Sequence, residues 1–189
     1  MIEINENVNI AMDISETEVR QGRDMVEDKK LVRGFMSAVI IRVDGTEEIL
    51  CHNKENLLTN EGRDKFHEAL YKNPTATQAA FNFIGLSTSD QGSNPPLVGD
   101  TRTDWELIET SGNGLDRFQA GTRNHVVGSN LTDLIQTFTA TAQVTDVQQA
   151  ATLDRISTGD GFIGHMNVFA PASLEIGDQL IITWSFTLG

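Results

Sequence analysis

The last twelve residues of the chain alternate between apolar and more polar side chains. The apolar set consists of Leu180, Ile182, Trp184, Phe186 and Leu188. A period of two predicts a β-strand with one buried face. Because the alternation is long, we expect this strand to lie inside a sheet rather than at its edge.

Two further runs predict strands. Residues 35–43 are largely apolar on both faces, which predicts a strand buried on both sides. Asp44-Gly45 separates this run from residues 47–51, and an Asp-Gly pair between two such runs is a strong hairpin signal. Residues 134–145 alternate with period two and predict one continuous, one-faced strand.

A short helix is predicted from Thr59 or Asn60 to the Asn73-Pro74 pair. Either residue can cap a helix, and Glu61 in the first turn favours the positive end of the helix dipole. The residue before a proline disfavours helical backbone, so Asn73-Pro74 ends the helix. A helical turn is also expected around Trp105.

Turn signals recur roughly every ten residues and separate seven or eight strand-like runs. Loops are expected at residues 87–98 and at residues 171–177. This pattern predicts a mainly β fold, an antiparallel β-sandwich or jelly-roll-like domain over residues 34–189 with one short helix.

Residues 1–33 are different and are predicted to form an N-terminal arm or helical extension. They are charged and contain no aromatic residue, and Ser15 to Glu18 fits a capping box that opens a helix to Lys30. A helix this polar is marginal alone in water. It needs either the chain's own β domain or a neighbouring subunit to pack on, and we expect more contacts outside the domain than within it.

Charge and hydropathy exclude several partners. The chain of 189 residues has a formal net charge of −13, and all its lysines lie in the first 72 residues. Such a surface repels phosphate backbones, so nucleic acid is not an expected partner. No apolar run approaches the ~20 residues of a membrane helix. The first residues lack the pattern of a signal peptide, so export by the standard secretory route is not expected.

One acidic cluster is a candidate ligand or interface site. Asp100, Asp104, Glu106 and Glu109 lie close in sequence to Trp105, and the first three are the candidate site residues together with Trp105. Carboxylates beside an exposed aromatic ring could bind a sugar or a calcium ion, although the calcium-loop pattern of an EF-hand is missing. The alternative is that Trp105 is a core or interface anchor.

Other chemistry-bearing motifs are missing from the sequence. The four histidines do not have zinc-site spacing, and there is no G-x-S-x-G elbow or P-loop lysine. Cys51 is the single cysteine and is interpreted as a small buried hydrophobic residue. We therefore predict no catalytic residue, no cofactor and no metal site.

Four segments together resemble small structural proteins of tailed viruses, a family of capsid decoration (cement) proteins and tail-fibre-like proteins. They are NLLTNEGRD at residues 56–64, FIGLST at 83–88, QTFTATA at 136–142 and GDQLIITW at 177–184. The resemblance covers about residues 54–189, and none of its segments is catalytic.

The resemblance implies a non-enzymatic virion component, assembled in the host cytoplasm and displayed as a homo-oligomer, with a trimer favoured over a dimer or pentamer. Its expected partners are the major capsid protein or other virion proteins. The alternatives are a tail or tail-fibre component, a glycan-binding module using Trp105 with Tyr71, or a glycan hydrolase with two carboxylates in a cleft.

Overall fold

Two antiparallel sheets pack face to face in the computed structural model, which describes residues 32–67, 80–157 and 161–188. The described strands are β1 (Val32–Ile41), β2 (Glu47–Glu55), β3 (Leu57–Leu58), β4 (Phe83–Ser87), β5 (Glu109–Thr110), β6 (Phe118–Gln119), β7 (Thr122–His125), β8 (Leu131–Thr139), β9 (Val144–Leu153), β10 (Ile163–Leu174) and β11 (Gln179–Leu188). The described helices are α1 (Asn60–His67) and α2 (Arg102–Glu106).

The strand order is β2-β1-β11-β8-β7 in the first sheet and β3-β10-β9-β4-β5 in the second, where β6 also pairs with β4. The main core lies between the sheets and takes side chains from both, such as Trp184 and Leu180 from one and Phe169 and Leu174 from the other. The predicted β-sandwich is confirmed.

Strand β11 is central, as its alternation predicted. It pairs along its length with β1 and with β8, and Leu180, Ile182 and Trp184 are fully buried. Strand β1 is central too, but only one of its faces is fully buried. Its other face, which includes Phe35 and Val39, is half-buried, so the prediction of two buried faces is wrong for this strand.

The Asp44-Gly45 hairpin between β1 and β2 is confirmed. The amide of Arg42 donates to the Thr46 carbonyl over 2.8 Å, and Gly45 has a φ of 85°, a conformation that costs glycine little. The predicted cap of α1 is confirmed as well, because the Gly62 amide donates to Thr59 Oγ1 over 3.0 Å. The predicted C-terminal end of this helix lies outside the described residues.

The predicted continuous strand over residues 134–145 is wrong. Strand β8 ends at Thr139 and β9 begins at Val144. Between them, the backbone bonds to loops rather than to a strand: Ala140 exchanges hydrogen bonds with residues 177–178, and the Thr141 amide donates to the Asn113 carbonyl. Long-range backbone pairing has overridden the local alternation.

The connection predicted at residues 171–177 is shorter in the structure, because β10 extends into it. Strand β10 continues through Pro171 to Leu174, with a register shift between Val168 and Ala172. A proline is tolerated in a strand at such an irregularity because no ladder hydrogen bond is required of it there.

The predicted arm lies almost wholly outside the described residues. Only Val32 and Arg33 of it are described, and both belong to β1, where they pair with Leu188 and Thr187. The extent and contacts of the arm stay a prediction.

Candidate functional site

Trp105 is fully buried, so it cannot act as an exposed aromatic platform for a sugar. It belongs to a small second core with Leu153, Ile163 and Met166. Its indole Nε1 has no hydrogen-bond partner among the described residues and faces Gly85, where an added Cβ would lie 3.1 Å away. The alternative interpretation, a core anchor, describes this residue.

The carboxylates around Trp105 accept hydrogen bonds from backbone amides or form ion pairs with arginine side chains. Asp104 completes a capping box with Thr101 at the start of α2, and hydrogen bonds from the Thr101 amide and hydroxyl lower the pKa of Asp104. Asp100 accepts from the Leu97 amide over 2.7 Å. Glu106 forms an ion pair with Arg102 one helical turn away. These three acidic residues of the predicted cluster thus all have partners within the protein.

Glu109, the fourth carboxylate of the predicted cluster, belongs to a buried ion pair with Arg117 that the sequence did not indicate. Arg117 forms a two-pronged pair with Glu109, in which Nε donates over 2.8 Å to one carboxylate oxygen and a terminal nitrogen donates to the other. The side chains of Arg117 and Glu109 are only 5% and 7% exposed. Arg117 also donates to the carbonyls of Arg155 and Ser157, over 3.1 and 3.2 Å.

This ion pair and the hydrogen bonds of Arg117 connect three segments of the second sheet. Glu109 lies in β5, Arg117 in the segment before β6, and Arg155 just after β9. The Glu109 carboxylate packs over Gly85 of β4 so closely that an added Cβ would overlap it. The geometry indicates a structural clamp, because both side chains are almost fully buried and the guanidinium donates to the Glu109 carboxylate and to two backbone carbonyls.

A second clamp holds one end of the sandwich, formed by the turn at residues 42–46 and the turn at residues 175–178, which we call the hairpin end. Asp178 is buried and accepts from Arg42 over 2.8 Å, from the Val43 amide over 3.1 Å and from the Glu175 amide over 3.0 Å. The Glu175 amide, followed by Arg42, lowers the pKa of Asp178.

The hairpin end presents two aliphatic side chains to solvent. Val43 is 71% exposed and Ile176 is 68% exposed. They lie on neighbouring turns, since the Cβ of a residue replacing Gly177 would meet Val43 Cγ2 at 3.0 Å. Asp178 therefore fixes the two turns that carry them. The only sequence signals for this surface were the turn residues themselves.

Other chemistry is sparse in the described residues. They contain no group of three or more histidine, cysteine, aspartate or glutamate side chains that could hold a metal ion. None of the helices described is long and apolar enough to cross a membrane. Cys51 is half-buried at the edge of the main core, and this burial raises the pKa of its thiol.

Comparisons with protein families, with curated proteins and with solved structures found no match to this chain.

Proposed function

We propose that the chain is a non-enzymatic virion structural protein, a capsid decoration protein that binds the outer surface of the viral shell. The virion assignment rests on the four segments with family resemblance. Their residues belong mainly to the framework of the sandwich, at β3 and α1, β4, β8 and β11. Resemblance in a framework, without a catalytic motif, fits a scaffold whose function is contact with other proteins.

The observation that carries the proposal is the hairpin end. Its two exposed aliphatic side chains, Val43 and Ile176, are set on turns that a buried carboxylate holds in place. Apolar side chains held in advance on a rigid support lose little entropy on binding and are suited to a protein partner. Asp44, Glu48 and Glu175 surround them, so the partner surface is expected to combine an apolar pocket with a basic rim.

In this account the major capsid protein supplies that pocket, and the protein is displayed on the virion as a homo-oligomer after assembly in the host cytoplasm. A tail or tail-fibre component is the alternative, since the same framework could serve there. A glycan-binding role has less support, because Trp105 is buried and the four carboxylates of the predicted cluster around it have internal partners.

Aspartate substitutions at the hairpin end test the proposal. Replacing both Val43→Asp and Ile176→Asp should weaken binding to particles that lack this protein by at least about tenfold, because removing two apolar side chains from the centre of an interface costs about 1–2 kcal/mol or more. Co-sedimentation with the particles measures the binding. The melting temperature should change by only a few degrees, since both side chains face solvent.

The matched control places the same two charges elsewhere on the surface, with Leu107→Asp and Ile156→Asp. These side chains are also exposed but lie far from the hairpin end in the fold, so this double variant should bind like the parent protein. Equal binding by both double variants would rule out the hairpin end as the shell contact.

A further inference from the structure

Strand β7 is an open edge of the first sheet, and neither the strand nor the turn that follows it carries a carboxylate. All four of its side chains are exposed, and β8 is its only strand partner among the described residues. The sixteen residues between Asp116 and Asp133 include no carboxylate, in a chain with 27 acidic residues. Strand β7 and the turn after it therefore contribute no carboxylate of their own on a protein of net charge −13, and the acidic residue next to them is Asp133, which pairs with Asn124 from β8.

The opposite edge of the same sheet, β2, is protected against pairing with a further strand, whereas β7 is not. Strand β2 carries three glutamates and pairs with β1 through two register shifts, both of which hinder the addition of another strand. Strand β7 pairs with β8 in a regular register over all its four residues. A regular edge without bulge, proline or acidic charge can accept a further strand through its free backbone groups.

Exposed apolar side chains continue this edge. After His125, the chain turns at residues 126–129, where the Ser129 amide donates to the Val126 carbonyl over 2.9 Å and Gly128 has a φ of 85°. Val126 is 72% and Val127 is 94% exposed on this turn. The backbone of β7 and the exposed side chains of Val126 and Val127 form one surface, which we call the β7 edge.

We propose that the β7 edge binds the same edge of a second copy of this chain. Antiparallel pairing of β7 with its symmetry mate would join two five-stranded sheets into one of ten strands, related by a two-fold axis. If the axis passes between the two Asn124 residues, each Arg123 lies opposite His125 of the second copy. The two Arg123 side chains then do not face each other.

A second copy is the occupant that the charges favour. Two molecules of net charge −13 repel each other over most of their surfaces. They can approach with less repulsion at β7 and the turn after it, because these residues include no carboxylate. Pairing of two such edges meets that condition in both molecules. The resulting two-fold dimer differs from the trimer that the family resemblance implies.

Charge substitutions at Asn124 test both the pairing and its register. The full-length protein should be a dimer at micromolar concentration in sedimentation velocity. Asn124→Asp should raise the dimer dissociation constant at least about tenfold, because like charges directly opposite across strands are destabilising and Asp133 on β8 adds to this charge. Asn124→Lys should raise it by a smaller factor, because Asp133 of the same molecule offsets the lysine charge. An equal mixture of the two variants should form dimers again, since opposite charges then face each other.

Asn53→Asp provides the matched control on the other edge, where Asn53 is also exposed. It should leave the dimer intact, and all variants should keep the parent's melting temperature within a few degrees. A monomeric parent protein would overturn the proposal. So would an oligomer that Asn124→Asp leaves unchanged, that Asn53→Asp disrupts equally, or that the mixture fails to restore. The assay uses purified protein alone, so its outcome is independent of binding to a shell.

Discussion

Replacing Arg117 with methionine should lower the free energy of unfolding by about 3–5 kcal/mol, because it leaves the buried carboxylate of Glu109 without its partner. The two side chains are nearly inaccessible to solvent and share a two-pronged pair. The carbonyls of Arg155 and Ser157 lose a donor as well. Urea unfolding at pH 7, followed by tryptophan fluorescence, measures the change.

A second substitution separates the loss of charge pairing from the loss of side-chain volume. Adding Glu109→Gln to Arg117→Met removes the uncompensated charge, so the double variant should be more stable than the Arg117→Met single variant. Arg63→Ala, at an exposed arginine near Asp64, should change stability by less than about 0.5 kcal/mol. A decrease of under about 1 kcal/mol for Arg117→Met would contradict the clamp.

Acid should destabilise the protein through His165 before the carboxylates titrate. Burial lowers the pKa of His165 from 6.5 to about 3. Its ring lies against Phe186, 4.7 Å between centroids, and against Trp184, while Nδ1 lies 3.4 Å from Thr152 Oγ1. None of these neighbours is charged, so they do not compensate a protonated imidazole.

The sign of the effect follows from the direction of the shift. The unfolded chain takes up a proton at His165 below pH 6.5, and the folded protein does not until about pH 3. Stability is therefore full above pH 6.5 and falls as the pH decreases, by roughly 2 kcal/mol at pH 5. Asp178, whose pKa is lowered, loses its contribution only below the ordinary aspartate range, so the interval from pH 7 to pH 5 isolates the histidine.

Urea unfolding at a series of pH values across that interval, on the parent and on His165→Leu, checks this expectation. In His165→Leu, the free energy of unfolding should depend much less on pH than in the parent, whatever the variant's absolute stability. His52→Gln, at an exposed histidine, should keep the parent's slope. A parent protein equally stable at pH 7 and pH 5 would show that the folded state accommodates the charge at His165.

The long, regular features of the fold were predictable from local pattern. Strand β11 alternates over its full length, and the hairpin at Asp44-Gly45 has a turn pair between two strand-like runs. The break between β8 and β9 was not predictable, because Ala140 and Ala142 continue the alternation. Hydrogen bonds to residues distant in sequence end the strand there.

The polar clamps could not be predicted for the same reason. Arg42 and Asp178 are 136 residues apart in sequence and meet only because β1 and β11 are neighbours in the sheet. The sequence placed Trp105 correctly on a helical turn, but it could not decide whether the ring faces solvent or core. Burial in the second core, against β9 and β10, decides this, so the Trp105 ring is not an exposed platform.

The proposed virion role is tested most directly by the copy number of this protein, relative to the major shell protein, in purified particles of a tailed virus whose genome carries this sequence. The account predicts about one copy per shell subunit or a simple fraction of that number, as expected for a decoration protein on the capsid surface. A few to a few dozen copies per particle would contradict decoration and favour the tail. Absence from the particle would contradict the virion role itself.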